Sequence, residues 1–214
     1  MAPKTISHRI VLILVLLLLV SATFIPYYSV SADPLTGAPA LPDLYSFAQT
    51  VSNGDAAIPR GVYVQDVFAF PIVQQPSNNA GYVSIQLNVV TQFRMASDYG
   101  TIGLLAHNNL SGQYFSLLTP GEHIQLVYGD GKIEYFKVTK IYSYQATSPN
   151  SMNSDFIDLN TGEYLTALDL FHKVYTGPRH ITFQTCIESN GNASWGRLFV
   201  IAEPEPLYIP SNVQ

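Results

Sequence analysis

Cys186 is the only cysteine in a chain of 214 residues, and its thiol is the strongest nucleophile the sequence offers. It lies in HITFQTCIESNGNASWGRLFV, residues 180–200. An apolar, β-branched and aromatic run ends at Cys186, a loop rich in Asn, Ser and Gly follows, and a second run begins at Arg197. That pattern predicts strand, loop, strand, with the thiol at the open end of the first strand and the guanidinium at the start of the second. A thiol at a strand end is open to a substrate, whereas one in mid-strand would be an inert core cysteine, which is the competing reading. With a single cysteine, no disulfide can form within the chain.

A free thiol has a pKa of about 8.5 and is mostly protonated near neutrality, so a nucleophilic cysteine needs a base or a cation beside it. The candidates are His107, His123, His172 and His180. His107 closes the run YGTIGLLAH and enters the polar loop NNLSGQ, a strand-to-loop setting like that of Cys186. His123 opens a strand after PGEH, His172 falls in a helical pattern, and His180 lies on the same strand as the thiol. His107 is therefore the expected partner. In such a set Cys186 would attack a peptide carbonyl as the thiolate and form a thioester. His107 would protonate the leaving amine and then take a proton from the incoming one. Arg197 would stabilise the oxyanion or hold the substrate backbone, its alternative being a surface residue at a strand end.

The elements that must position these residues are mostly strands. Residues 62–73, 82–93, 100–106, 123–128, 133–144, 180–186 and 197–203 are dense in Val, Ile, Phe and Tyr and read as strands. GDG at 129–131 predicts a hairpin turn, and IEYFKVTKIY alternates so that one face of that hairpin is solvated. About eight short strands with one or two short helices predict a mostly β fold, a closed or nearly closed barrel, because closure removes exposed edges. One helix is expected in TGEYLTALDLFHKVYTG, with Thr161 as cap, Gly177 as stop, and an apolar face of Leu165, Leu168, Phe171, His172 and Tyr175. A shorter helix is expected within 41–51. The polar stretch 145–158 before the longer helix is a candidate substrate wall, or else a surface insertion.

The ordered set LLAH with His107, GQYFSLL with Phe115, GEHIQLVYGDGKIEYFKV, TFQTC with Thr185 and Cys186, and WGRLFVIA with Arg197 resembles the sortases, cysteine transpeptidases of the bacterial cell surface. The resemblance spans roughly residues 60–203. It implies a sortase-like β-barrel, catalysis by Cys186, His107 and Arg197, and Thr185 as a substrate-binding residue. It also implies two partners: a peptide sorting signal of an exported protein, and an amine acceptor such as cell wall or a pilin-like protein. The chain departs from the family at Ala106, where Gly is commoner, and at Phe183 and Gln184, which bears on substrate choice.

Residues 10–20 are IVLILVLLLLV, preceded by Lys4 and Arg9, the mark of an exported segment. A cleaved signal peptide fits Val30 and Ala32 before a cut. A retained hydrophobic helix anchoring the protein to the membrane fits the uncharged run to Ser31, long enough for a ~30 Å hydrocarbon layer. The expected organisation is thus 1–32 anchor or signal, 33–58 linker and short helix, 59–205 barrel, and 206–214 tail, with the barrel outside the cytoplasm. A formal net charge of −5 without basic clusters speaks against a nucleic-acid partner. Scattered histidines and one cysteine make no metal-site spacing, so no metal and no cofactor are expected; Asp98, Asp155, Asp158 and Glu163 read as solvated acids. Three functions remain open on the residues: a transpeptidase, a thiol hydrolase with the same site, and a catalytically silent barrel that binds.

Overall fold

The computed structural model describes residues 41–151 and 153–205. The expected membrane helix and signal, most of the linker, and the tail 206–214 lie outside these residues. Among the described residues no helix is long and apolar enough to cross a membrane.

The chain enters through helix α1, Leu44–Val51, whose first turn is capped by Asp43 accepting from the Ser46 amide at 3.0 Å. Its buried face, Phe47 and Ala48, packs on Tyr63 and Val127. Ten strands follow: β1 Pro59–Val64, β2 Phe68–Gln74, β3 Val90–Phe93, β4 Ile102–Leu105, β5 His123–Tyr128, β6 Ile133–Ala146, β7 Phe156–Asp158, β8 Tyr164–Leu165, β9 Ile181–Ser189 and β10 Asn192–Pro204. The pairing order is β10-β9-β4-β3-β2-β1-β5-β6, and β6 pairs back onto β10. Eight strands therefore close a ring, as the strand pattern predicted, while β7 and β8 form a short flap on β6. The β4–β9 and β2–β3 pairings are parallel and the others antiparallel.

The barrel interior is filled from alternate positions of each strand, including Phe68, Leu104, Leu126, Phe136, Phe183 and Val200. A 3₁₀ segment, Ser111–Leu117, adds Phe115 to it, fully buried with its ring 5.0 Å from that of Phe183 and 6.2 Å from that of Phe68. Burying one such ring stabilises the fold by about 1.5–3 kcal/mol.

A second apolar cluster lies on the outer face of β4, β9, β10 and the upper half of β6, beneath the helix α3, Ala167–Tyr175. The long strand β6 reaches both clusters because its pairing with β10 slips by one residue between Ile201 and Ala202. Phe136 and Val138 point into the barrel, whereas beyond the slip Tyr144 and Ala146 point to the outer cluster.

Four sequence expectations are corrected here. The run 62–73 is a hairpin folded at Asp66, whose positive φ of 61° makes the turn. Of the run 82–93, only Val90–Phe93 is strand, and it leads into an unexpected short helix α2, Arg94–Asp98. The helix after the polar loop starts at Ala167 rather than after Thr161. Thr166 is its cap, in a reciprocal box with Asp169, and Leu165 has already been taken by β8. Its buried residues are Leu170, Val174 and Tyr175, while Leu168 is 63% exposed. Fourth, β9 and β10 continue through the polar residues between Cys186 and Arg197, so the joining loop shrinks to Asn190–Gly191.

Candidate active site

Cys186 is accordingly not the last residue of its strand. It stands within β9, half-buried and unbonded to another cysteine, and its Cα partner on β10 is Arg197. The two side chains share a face, since paired residues of an antiparallel ladder project to the same side. That face is the outer one, because Phe183 on β9 and Val200 on β10 occupy the interior. The competing reading of Cys186 as a core residue is not met by this placement.

The strand end that the thiol lacks is supplied by a bulge on the partner. Between the pairs Ile187–Gly196 and Ser189–Asn192, β10 spends more residues than β9. The excess residues Ala193–Trp195 splay the two strands just past Cys186, and bulges of this kind re-aim side chains beside functional sites. Gly196 permits the pinch: a Cβ there would collide with the Tyr144 carbonyl. Arg197 Nη1 donates to the carbonyls of Ser194 and Gly196, both at 2.9 Å, so the guanidinium is braced on the bulge. Nη2 and Nε take no hydrogen-bond partner among the described residues, which leaves donors for a bound group.

His107 follows directly on β4, as the sequence suggested. Leu105 pairs in parallel with Gln184, and the amide of Ala106 donates to the Gln184 carbonyl at 3.2 Å. His107 comes next, at the start of the turn that leaves β4, while Leu104 and Ala106 before it face the interior. Cys186 and Arg197 are thus cross-strand partners on β9 and β10, and His107 comes two residues after the end of β4, the strand on the other side of β9, so the three belong to one row of neighbouring strands. No hydrogen bond reaches the His107 ring from any carboxylate among the described residues.

The end of β4 is fixed by contacts that sequence reasoning missed. Thr185, expected to bind substrate, is 4% exposed, lies on the inner side of β9, and donates its hydroxyl to the Ala106 carbonyl at 2.9 Å. The His107 carbonyl accepts from the amides of Leu110 at 3.0 Å and Gly112 at 2.9 Å. Gly112 is wedged so closely there that a Cβ would meet Thr185 Oγ1 and the His107 and Ala106 carbonyl oxygens. Asn108 Nδ2 donates to the Ala193 carbonyl at 3.1 Å, tying the His107 loop to the bulge that carries Arg197. The run NNLSGQ signalled a loop, but only the fold reveals that it is a clamp.

A groove of 420 Å³ leads away from this row along the outer face. Gln184, Arg197 and Phe199 form part of its floor, α3 gives Leu170, Phe171 and Tyr175, and the loop after β2 gives Ala80, Gly81 and Val83. Ser151 and Phe156, from the segment 145–158 foreseen as a wall, line it too. Cys186 and His107 are not on its walls; they lie past the end marked by Gln184 and Arg197. The sequence pattern places a strand over the later part of this loop, from residue 82. Gln75 holds it, donating from Nε2 to the carbonyls of Ala80 at 2.8 Å and Tyr82 at 3.1 Å.

The remaining histidines are engaged elsewhere. His123 contacts Glu205 at 2.7 Å, His172 lies exposed on α3 against the Tyr99 ring, and His180 is buried between the carbonyls of Pro178 and Val174. Asp155 and Asp158, weighed as cation ligands, accept hydrogen bonds from the Ala167 amide and from the amides of Asn160 and Thr161.

No family model and no curated protein matches the chain. The solved structures to which it is similar include the sortase C1 of GBS pilus island 1, at 17% identity over 70% of this chain and 66% of that one, with a TM-score of 0.44. Sortase A of Listeria monocytogenes is similar at 16% identity over 71% and 88% of the two chains, with a TM-score of 0.43. Sortase A of Corynebacterium diphtheriae is similar at 13% identity over 72% and 63%, with a TM-score of 0.46. The chain spans about two thirds of the length of the first of these. At such identities and scores the likeness carries no argument; the closed β-barrel is shown by this chain's own strand pairing.

Proposed function

We propose that the protein is a cysteine transpeptidase that cuts a sorting motif in another exported protein and passes the new carboxyl end to an amine. The observation that supports this reading is the pairing of Cys186 with Arg197 across β9 and β10, with His107 two residues past the end of β4, the strand on the other side of β9, and a groove with many apolar walls nearby. Cys186 as thiolate attacks the scissile carbonyl. Arg197, braced on its bulge, offers Nη2 and Nε to the oxyanion. His107 gives a proton to the departing amine, leaving a thioester on Cys186. The incoming amine then attacks the thioester carbonyl, loses a proton to His107, and expels Cys186 as the thiolate as the new amide forms, which restores the starting pair. A thioester shielded from water favours the amine over hydrolysis. Thr185 serves by positioning the His107 strand end. Residues 10–31 anchor the chain in the membrane with the barrel outside the cytoplasm.

The test incubates the full chain with a library of sorting-type peptides and either an oligoglycine or a lysine side chain as acceptor. Joined product that requires both Cys186 and the amine supports transpeptidation. Cleaved peptide alone points to a hydrolase. Absence of product and of any covalent adduct at Cys186 overturns the reading in favour of a binding module. His107→Ala and Arg197→Ala should each lower turnover by on the order of 10²-fold or more.

A further inference from the structure

The groove beside the catalytic row is apolar on most sides, yet its floor carries a carboxamide. Gln184 projects from β9 on the same face as Cys186, two residues before it. Its Oε1 accepts a hydrogen bond from the Tyr175 hydroxyl, which reaches down from α3. Tyr175 is itself 3% exposed, with its ring packed between Phe93 at 5.2 Å and Phe171 at 5.4 Å, so the hydroxyl is held in place. An amide whose oxygen is committed in this way has a defined orientation. Its Nε2 is directed away from Tyr175 and takes no hydrogen-bond partner among the described residues. A leucine of similar size would have covered this floor without a polar atom, whereas half-buried Gln184 leaves its Nε2 open to an incoming acceptor.

We infer that Gln184, oriented by Tyr175, is a specificity-determining residue that donates its amide to a carbonyl of the peptide substrate. The inference rests on the proposed peptide chemistry at Cys186. The position of the carbonyl follows from the strand: two residues of extended chain span roughly 7 Å, so the acceptor belongs to a peptide residue about two places from the reacting carbonyl. It is either the main-chain carbonyl of that residue or the side-chain carbonyl of a Gln or Asn there. Tyr175 acts only through Gln184 and is a positioning residue.

The experiment measures labelling of Cys186 in the full chain, followed by intact mass, with short peptides ending in a vinyl sulfone and with a small methanethiosulfonate as a reagent that needs no groove. The peptides differ two places from the electrophile: one set carries Gln, Asn, Leu or Met, and another replaces the main-chain amide by a reduced CH₂–NH unit. Gln184→Leu should slow peptide labelling by about 3- to 10-fold, the worth of one hydrogen bond, and leave methanethiosulfonate labelling unchanged. Tyr175→Phe should move peptide labelling the same way by less, while Gln184→Asn with Tyr175 intact recovers part of it. Loss of the variant's effect with the reduced-amide peptide assigns the main-chain carbonyl; loss only on changing Gln or Asn to Leu assigns the side chain. Equal peptide rates in wild type and Gln184→Leu overturn the inference alone. Methanethiosulfonate labelling without labelling by any peptide overturns the peptide chemistry beneath it, and the inference with it.

Discussion

Gly112 offers a sharp test of how the end of β4 is held, because the space at its Cα is set by three oxygens, Thr185 Oγ1 and the His107 and Ala106 carbonyls. In Gly112→Ala the new methyl collides with Thr185 Oγ1 and stands 2.7 Å from the His107 carbonyl oxygen and 2.8 Å from that of Ala106. The hydroxyl can rotate away, at the cost of its bond to Ala106, about 1 kcal/mol. The two carbonyls are backbone and can move only with the end of β4, an overpacking cost of about 1–3 kcal/mol. The sum is a loss of about 2–4 kcal/mol, or about 4–16 °C in Tm for a domain of this size. Urea unfolding followed by Trp195, the chain's single tryptophan and a residue of the β10 bulge, reads both stability and the site. Thr185→Ala removes the nearest oxygen, so its cost should shrink in the Gly112→Ala background, with a coupling of about 1 kcal/mol. A remainder from the carbonyls should persist. Gly81→Ala, where the nearest atom is Asn79 Oδ1 at 3.7 Å, is the control and should lie within about 0.5 kcal/mol of wild type. A Gly112→Ala protein as stable as that control would refute the wedge, and strict additivity with Thr185→Ala would refute the contact assigned to the hydroxyl.

Arg197→Lys should lower turnover nearly as far as Arg197→Ala, since an ammonium cannot brace on the Ser194 and Gly196 carbonyls and still present a planar fork; steady-state rates of the two variants with one peptide decide it. Glu205 is held below the ordinary carboxylate range, first by its hydrogen bond to Lys137 and then by His123. A depressed folded-state pKa means that its contribution is present above the unfolded value near ~4.3 and is lost as pH falls through the folded one. Glu205→Gln should therefore be less stable than wild type at pH 7, with the gap closing below about pH 4; urea midpoints across pH measure it, and a gap that widens in acid would overturn the assignment. Thr166→Ala should cost about 1 kcal/mol as a lost helix cap, while Thr161→Ala, in the exposed turn before β8, should cost less than about 0.5 kcal/mol. Thermal melts of the two proteins distinguish them.

Much of the barrel was legible in the chain itself, because burial on one face of a strand imposes a period of two that survives in the sequence. The runs ending at His107 and Cys186 carried that signal, while the face of the thiol, opposite Phe183, came from the structure. The GDG hairpin was legible for a local reason as well, since Gly131 takes a φ of 86° that other residues resist. Tertiary structure alone decided where the strands stop. Ser189 and Asn192 have no strand propensity, yet they pair with each other beyond the irregularity at Ala193–Trp195, so the expected open strand end became a bulge. The loop after β2 carried apolar residues that the period of a strand could accept, but Gln75 and the groove hold it off the sheet. The cap moved from Thr161 to Thr166 because Leu165 was claimed by β8, a pairing between residues with no local signature. The pairing of β4, which leads to His107, with β9, which carries Cys186, belongs to the same class. It is a parallel ladder between strands some eighty residues apart, and long-range pairing is chosen by the whole ring's closure rather than by any stretch of sequence within it.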